Sequence, residues 1–330
     1  MEIIIPAKEV EEKLFKLFCK YGVNEENAKI VASTHMKNSL DGIPSHGLNR
    51  VARIIGYIKE GLVDSNAEAE IVEENGASCI LDGKLGLGVI NAVKAMDLAC
   101  DLAEKYSIGI VTVKNTNHWL RGGTYGWQAA NRGFAAICWG NSTGNTVPWG
   151  GSESVLGNNP LVMAVPRSNG QHVVSDSAMS QFSFGGLQNA VLAGKKLPFV
   201  GGWDENGDLT DDPAEITKTR KLMSMGYWKG SGMSILLDLI GTLASGGNTV
   251  SEVTANYSQE SGLTQVMIAI KPTLIGALAD EKIDRVLDDV LNSGENVRYP
   301  GQREYREGKE NAKKGVPVDD EIWAEIMSLF

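Results

Sequence analysis

The sequence predicts an α+β fold in which helices from both chain ends surround a strand-rich middle. Apolar residues recur at helical spacing over residues 6–40 and again after Pro272, whereas short β-rich runs dominate the middle of the chain. Several of these runs follow one another with no helix between them, which disfavours a sheet built only from βαβ units. We therefore predict a discontinuous helical domain, residues 1–75 and 273–330, around a mixed α/β domain, residues 76–272.

The individual elements follow from the spacing of the apolar residues. The first helical stretch is interrupted by YGVNEEN, and another helix is predicted in GLNRVARIIGYIKEGL. The same helical period recurs in GVINAVKAMDLACDLAEKY, GMSILLDLIGTLASG, TLIGALADEKIDRVLDDVLNSG and DDEIWAEIMSLF. Seven β-rich runs, several of them bounded by Gly, Asn or Pro, predict strands: EIVEE, SCILDG, SIGIVTVKN, FAAICWGN, PLVMAVPR, QHVVSDS and TQVMIAIKP.

Composition restricts the class of function. The formal charge of -10 is spread along the 330 residues, which argues against nucleic acid or an anionic membrane as a partner, since both require clustered Lys and Arg. The N-terminus is acidic where a signal peptide is basic, and no apolar run approaches the roughly 20 residues of a membrane span. The four cysteines have no paired spacing, so we interpret them as reduced thiols and predict no metal site. We expect a cytoplasmic protein that binds a small molecule.

The common signatures of nucleotide-binding and hydrolytic enzymes are missing. The glycines Gly83, Gly86 and Gly88 do not have the spacing of the dinucleotide fingerprint G-x-G-x-x-G, and a turn that leads into a helix explains them equally well. The sequence also lacks a Walker A motif, G-x-S-x-G and H-E-x-x-H. Any nicotinamide chemistry would therefore need a different cofactor site.

Two of the four histidines are candidates for proton transfer. His46 lies on a turn before a predicted helix, and Arg50 follows on the same helical face, an arrangement that suits an acid beside an anion clamp. Helix capping and a surface ion pair remain the alternatives for this pair. His118 lies at the end of a predicted buried strand, where Gly122 and Gly123 leave space for a ligand. His35 falls inside a helical pattern, which favours a structural or surface role.

A third candidate stretch is MGYWKGSGMS. Lys229 and the glycines beside it precede a predicted apolar helix, so a cation and amide donors meet at a helix N-terminus, which favours a phosphate site. A flexible hinge before a core helix is the alternative interpretation.

Long motifs of this chain resemble the malate/L-lactate dehydrogenase family of NAD(P)-dependent oxidoreductases, which is distinct from the Rossmann-type lactate and malate dehydrogenases. The matching motifs are PSHGLNR, NTNHWLRGGTYGWQAA, ICWGNS, GNNPL, LAGKKLP and MGYWKGSGMS. The resemblance implies a non-Rossmann fold with a largely antiparallel seven-stranded sheet that binds NADH or NADPH. It also implies a homodimer whose active site lies between the domains and near the subunit boundary.

The resemblance assigns roles to individual residues. His46 matches the family's proton donor, Arg50 its substrate-binding arginine and His118 a second active-site histidine, and we add Ser45 as a candidate to hydrogen-bond the substrate. The cofactor-contacting stretches match His172, Val173, Val174, Ser175, Asp176, Ser177 and Ala178, then Trp228 and Lys229, and finally Gly301, Gln302 and Arg303.

Two positions depart from the family pattern. Ile54 stands where many members have a tyrosine, and Gln302 replaces the glutamate of Pro-Gly-Glu, which leaves the choice between NAD and NADP open. From the resemblance we expect metal-free reduction of a 2-oxo sugar acid, 2,3-diketo-L-gulonate above others, at C2. The alternatives are another 2-hydroxy or 2-oxo acid, ureidoglycolate or a cyclic imine within the same family, and a non-catalytic sugar-acid sensor from a different class.

Overall fold

The computed structural model describes residues 1–257 and 259–330 and has an α+β fold. Its helices are α1 (Ala7–Lys20), α2 (Glu25–Leu40), α3 (Val51–Lys59), α4 (Gly88–Tyr106), α5 (Gly123–Asn131), α6 (Phe184–Leu192), α7 (Pro213–Thr219), α8 (Trp228–Ser245), α9 (Val250–Asn256), α10 (Gly276–Leu291), α11 (Gln302–Lys314) and α12 (Asp320–Ser328). Its strands are β1 (Glu2–Ile5), β2 (Glu70–Asn75), β3 (Ser78–Asp82), β4 (Ile108–Asn117), β5 (Ala135–Gly140), β6 (Gly144–Val147), β7 (Leu156–Gly157), β8 (Leu161–Val165), β9 (Val173–Ser177), β10 (Gly202–Trp203), β11 (Leu209–Thr210), β12 (Leu222–Met223), β13 (Ser261–Ile270) and β14 (Val316–Asp319).

The central feature is a seven-stranded sheet with the order β2-β3-β4-β13-β5-β8-β9. Each of its strands overlaps one of the seven β-rich runs, so the seven strands are confirmed, although β2 and β4 end later and β13 begins earlier than predicted. Five of the six neighbouring pairs are antiparallel, whereas β3 and β4 are parallel because α4 connects them as a crossover. The sheet is therefore mixed: it is largely antiparallel, as the resemblance implied, and has one parallel pair, β3–β4.

Helix α4 packs closely on the sheet because the side chains on its buried face are small. Ala92, Ala95, Ala99 and Ala103 are all buried there. A Cβ added at Gly109 of β4 would overlap the carbonyl oxygen of Ala99, so glycine is required for this approach. Together with α5, this helix encloses the apolar core on one face of the sheet.

A second apolar core lies among α1, α2 and α3. It also contains Val316, Val318 and Ile326 from the end of the chain, which β1 brings close by pairing antiparallel with β14. This two-stranded sheet was not predicted, because its strands are separated by nearly the whole chain. The domain boundaries at 75/76 and 272/273 stay a prediction.

A third sheet has five short strands in the order β11-β10-β12-β6-β7. Its strands are two to four residues long, too short to show an alternating pattern in the sequence. Helices α6 and α7 pack beside it around Leu187, Leu197, Ile216 and Leu222. Among the helices of the described residues, none combines the length and apolarity that crossing a membrane requires.

Helix α2 anchors the segment that carries the PSHGLNR motif. The fully buried ring of His35 stacks on Phe18, and its Nδ1 lies 2.8 Å from the carbonyl oxygen of Gly47. Burial lowers the pKa of His35 to about 4, so the ring is neutral and donates this bond. Asn38 Nδ2 donates to the carbonyl of His46 at 2.8 Å. The structural interpretation of His35 is therefore supported.

We predict that Gly47→Ala disturbs this anchor. A Cβ at Gly47 would overlap Ser39 Oγ and lie 2.8 Å from the backbone nitrogen of Ser39, so Ser39 could no longer accept its hydrogen bond from Leu48. Overpacking of this kind costs about 1–3 kcal/mol. The free energy of unfolding from urea denaturation should fall by that amount.

The matched control is Gly56→Ala in α3, where a Cβ meets no atom within 4 Å and alanine favours the helix by about 0.5–1 kcal/mol. Equal stability of the two variants would contradict the tight packing.

Candidate active site

A cavity of about 350 Å³ opens where the ends of β4, β5, β9 and β13 face the PSHGLNR segment. Ser45, His46, Arg50 and His118 all line it, so the fold brings together the four residues predicted for substrate and proton transfer. Ser45, His46 and Arg50 come from the PSHGLNR segment before α3, whereas His118 follows the end of β4. Their roles in catalysis remain to be tested.

The loop after β4 is fixed by its aromatic residues. The ring of Trp119 stacks on Tyr125 with centroids 5.3 Å apart, and Tyr125 Oη donates to the carbonyl of Trp119 at 2.6 Å. Gly122 and Gly123 serve this packing, because a Cβ at Gly122 would lie 2.8 Å from Val162 and the amide of Gly123 donates to Asp176. The missing side chains thus make room for protein atoms, although the backbone of Gly122 lines the cavity.

Hydrogen bonding determines which nitrogen of His118 carries the proton. Its Nδ1 accepts a hydrogen bond from the backbone amide of Leu120 at 3.0 Å, so the neutral ring carries its proton on Nε2. Burial lowers the pKa of His118 to about 4, although the nearby Glu260 opposes this shift. His118 therefore faces the cavity as a neutral hydrogen-bond donor at pH 7.

His46 lies directly beside this ring. The two imidazoles are stacked with centroids 5.9 Å apart, and Nδ1 of His46 is 3.1 Å from Ser45 Oγ. Burial, followed by the charges of His118 and Arg50, lowers the pKa of His46 to about 3. The protonated His46 expected from the sequence is thus disfavoured in the unliganded cavity. It requires a nearby negative charge, such as a bound carboxylate or a carbonyl oxygen that gains charge during reduction.

Arg50 already has two partners within the protein. Its Nε donates to the carbonyl of Ser45 at 3.3 Å, and its Nη1 donates to Glu260 Oε2, also at 3.3 Å. Nη2 donates to no acceptor among the described residues. A substrate carboxylate would have to use Nη2 or share Nη1 with Glu260, so Arg50 is not the unpaired fork that the sequence suggested.

The residues predicted to contact the cofactor lie partly along this cavity. Val174, Asp176 and Ala178 line it, whereas Val173, Ser175 and Ser177 alternate with them along β9 and its end and do not. Asp176 accepts from the amide of Gly123 at 2.7 Å, at the start of α5, and burial raises its pKa.

The turn before α11 runs beside β9. The amide of Val174 donates to the carbonyl of Pro300 at 3.1 Å, and Gly301 adopts a φ of +87° with no room for a side chain, since a Cβ would lie 3.1 Å from the nitrogen of Val174. Arg303 lines the cavity. Gln302 has a buried Oε1 that accepts no hydrogen bond from the described residues.

His172 lies apart from this site. Its Nδ1 accepts from the amide of Arg167 at 3.0 Å and its Nε2 lies 3.0 Å from Asn131 Oδ1, so both ring nitrogens are used within the protein. It lines a separate cavity beside α10.

Trp228 and Lys229 also do not line the cavity within one chain. Both are exposed at the first turn of α8. The amides of Lys229, Gly230 and Ser231 donate to the backbone carbonyls of Gly226, Met225 and Tyr227. The expectation of free amide donors for a phosphate at this helix start is therefore wrong, because the preceding turn already satisfies them.

Several residues of the site were not recognised in the sequence. Glu260 lies between Arg50 and His118, and further polar side chains line the cavity: Arg121, Asn141, Ser142, Asn145, Asn158 and Gln265. Glu260 directly precedes β13, but the predicted run TQVMIAIKP begins only at Thr264, so the strand-end argument applied to His118 did not reach it. Within residues 1–257 and 259–330, no group of three His, Cys, Asp or Glu is arranged to hold a metal ion.

A model of the malate/L-lactate dehydrogenase family matches residues 5–327. The chain belongs to the malate/L-lactate dehydrogenase family. It is 41% identical to a 2,3-diketo-L-gulonate reductase of Klebsiella pneumoniae (strain 342), over 98% of this chain and 99% of the relative. It is 42% identical to a 2,3-diketo-L-gulonate reductase of Escherichia coli O17:K52:H18, over 93% of this chain and 94% of the relative.

Solved structures of the family share the fold. The sulfolactate dehydrogenase from Methanocaldococcus jannaschii superposes with a TM-score of 0.89 at 28% sequence identity. The superposition covers 99% of this chain and 96% of the dehydrogenase chain. This family member is accordingly an oxidoreductase, as the sequence motifs predicted, and the residues of its cavity can be considered as an active site.

The lowered histidine pKa values lead to a prediction for the reduction direction. If protonated His46 is the acid, the rate falls as pH rises through its pKa, and His46→Gln should lower kcat by about 10²–10⁴-fold. Because burial lowers the pKa of His46 in the free enzyme to about 3, the fall in kcat/KM should be centred below 6.5, the ordinary value for histidine. Bound substrate adds negative charge, so the fall in kcat should be centred at a higher pH.

These profiles are measured from initial rates of cofactor oxidation between pH 4 and pH 9. A His118→Gln variant measured in parallel identifies the donor, because only loss of the donor should abolish the pH dependence. Near-normal kcat in His46→Gln would transfer the role of acid to His118.

Proposed function

We propose that this enzyme reduces 2,3-diketo-L-gulonate at C2 to 3-dehydro-L-gulonate, with NADH or NADPH as the hydride donor. The observation that carries the proposal is the convergence of His46, His118 and Arg50 on one cavity. It occurs in a chain that is 41% identical, over nearly its whole length, to a reductase named for this substrate. The identity of the oxo acid and the choice of cofactor are the parts that need experiment.

The cavity suits this chemistry. A bound nicotinamide cofactor would supply the hydride that C2 receives. The carbonyl oxygen then gains an electron pair, and His46 donates the proton that completes the new hydroxyl group. His118, fixed as an Nε2–H donor by Leu120, orients the reacting end of the substrate. Arg50 binds the substrate carboxylate, with Ser45 beside it.

The residues along β9 and the turn before α11 fit a dinucleotide. Val174 and Ala178 offer an apolar wall, and Arg303 a cation for phosphate. Gly301 holds the turn before α11 against β9, because a Cβ there would lie 3.1 Å from the nitrogen of Val174. Gln302 does not line the cavity, so its buried Oε1 would accept from a hydroxyl group of the cofactor ribose only after the side chain turns toward the cavity. Four other predicted cofactor residues have side chains that do not line the cavity, so only their backbone could contact the cofactor: His172, Val173, Ser175 and Ser177.

Trp228 and Lys229 fit the cofactor site only if another subunit supplies them. Helix α8 exposes an apolar face beside them, on which Leu236 is 58% and Leu243 is 84% exposed. A second copy of the chain would bury this face. We propose a homodimer on this ground, with the first turn of α8 turned toward the partner's cofactor.

The activity itself is the first test. Purified protein should oxidise NADH or NADPH with 2,3-diketo-L-gulonate, and EDTA should leave the rate unchanged because the donor set at the cavity is not a metal site. The panel should include another 2-oxo acid, oxidation of ureidoglycolate, and a cyclic imine. A much higher kcat/KM for one of these would replace the proposed substrate. Tight binding of the sugar acid without cofactor oxidation would favour the sensor.

Arg50 tests the recognition of the acid group. Lysine keeps the charge but not the planar fork, and hydrogen bonds to charged groups contribute roughly 1.5–3 kcal/mol. Arg50→Lys should therefore lower kcat/KM by about 10–100-fold, mainly through KM if the bond forms equally in the ground and transition states.

The matched control is Arg53→Lys on the next turn, which is exposed and does not line the cavity. It should change KM by less than about twofold, in keeping with surface charges that contribute about 0–1 kcal/mol. If the two variants have the same KM, Arg50 only holds Glu260 and the substrate carboxylate binds elsewhere.

A further inference from the structure

Glu260 lies between Arg50 and His118, two of the residues predicted to contact the substrate. It directly precedes β13, lines the cavity, and has a side chain that is only 20% exposed. Its Oε2 accepts from Arg50 Nη1 at 3.3 Å, whereas its Oε1 is 3.8 Å from His118 Nε2. The carboxylate thus spans the two groups assigned to the substrate.

The two oxygens of this carboxylate differ in their bonding. Oε2 has a partner, but Oε1 accepts no hydrogen bond from the described residues, since 3.8 Å to His118 is too long for one. Burial raises the pKa of Glu260, whereas His118 when charged, Arg50 and Arg53 lower it, and the net shift is downward. The ion pair between Oε2 and Arg50 favours the carboxylate even while His118 is neutral. Glu260 is therefore ionised at neutral pH, and Oε1 can only accept.

The opposite side of the gap is a donor. The amide of Leu120 occupies His118 Nδ1, so the proton of the neutral ring lies on Nε2, 3.8 Å from Oε1. This donor and this acceptor are too far apart to bond to each other, but both can bond to one oxygen that lies to the side of the line joining them, at hydrogen-bond distance from each. That oxygen must accept from Nε2–H and donate to Oε1. A hydroxyl group does both, whereas a methylene group does neither and a carboxylate cannot donate.

We propose that the gap between His118 and Glu260 recognises a hydroxyl group of the substrate chain, which makes Glu260 a specificity-determining residue for hydroxylated acids over unhydroxylated ones. The proposal rests on the proposed function and extends it, because Arg50 would hold the carboxylate of the same substrate. A plain oxo acid would leave Oε1 of a partly buried carboxylate unpaired, which is the more costly state. Glu260 therefore distinguishes sugar acids from acids with an alkyl chain.

The test compares two ligands with the same carbon chain, L-gulonate and 2-hydroxyhexanoate. Both are six-carbon monoanions with a hydroxyl group at C2, but only gulonate carries hydroxyl groups further along. Calorimetric titration of the enzyme should show tighter binding of gulonate. In Glu260→Gln, which keeps the shape and removes the charge, the ratio of the two affinities should fall by about tenfold or more, since hydrogen bonds to charged groups are the stronger ones.

The ratio separates recognition from positioning. If Glu260 only holds Arg50 in place, Glu260→Gln changes the affinities of both ligands by the same factor, the ratio stays constant and the proposal is overturned. If Glu260→Gln melts at the wild-type temperature but binds neither ligand, the proposal is also overturned. Glu260→Asp, which keeps the charge but shortens the side chain, should retain part of the preference.

The matched control is Glu104→Gln, a carboxylate paired with Lys271 on the exposed surface away from the cavity. It should leave the ratio unchanged. The titrations need no turnover, so they test Glu260 even if no oxo acid is reduced. Failure of the reductase assay with a preserved preference for gulonate would refute the proposed reaction alone, whereas turnover of 2,3-diketo-L-gulonate with an unchanged ratio in Glu260→Gln would refute the role of Glu260 alone.

Discussion

The pairing of β4 with β13 is the constraint on which the site depends. The two strands run antiparallel, with Asn117 at the end of β4 opposite Ser261 at the start of β13. Because His118 follows Asn117 and Glu260 precedes Ser261, this register places the two side chains at the same edge of the sheet. The pairing thus brings together two residues that are far apart in the chain. A shift of register would separate the donor at Nε2 from the acceptor at Oε1. The backbone hydrogen bonds of the sheet therefore determine the geometry of the cavity.

The second half of the site is brought to this edge by the helices. The hydrogen bonds from Asn38 to His46 and from His35 to Gly47 attach the PSHGLNR segment to α2. Since α2 belongs to the core that contains residues from both chain ends, His46 and Arg50 are held by a different core from the one beneath His118. The cavity lies where these two packed units meet, a common position for small-molecule sites.

Burial gives the cavity its electrostatic character. Desolvation keeps both imidazoles neutral, while Arg50 and Glu260 keep their charges by pairing with each other. Such an environment strengthens the interaction of a proton donor with a carbonyl oxygen that gains charge, because little water competes for it. Under the proposed roles, a carboxylate bound by Arg50 would be the charge that raises the pKa of His46 again.

The sequence by itself determined the elements whose signal is local. Each strand of the large sheet was visible as a β-rich run, and His46, Arg50 and His118 could be singled out because titratable residues stood at the ends of predicted elements. The family resemblance added the seven-stranded sheet and the residue roles. Tertiary structure alone decided the parallel β3–β4 pair, the β1–β14 pair, the satisfied amides at Lys229 and the position of Glu260. Each of these depends on contacts between distant parts of the chain, whereas a periodic pattern reports only on neighbours. The charge states of the histidines belong to the same group, because desolvation is produced by residues that are close in space and far apart in sequence.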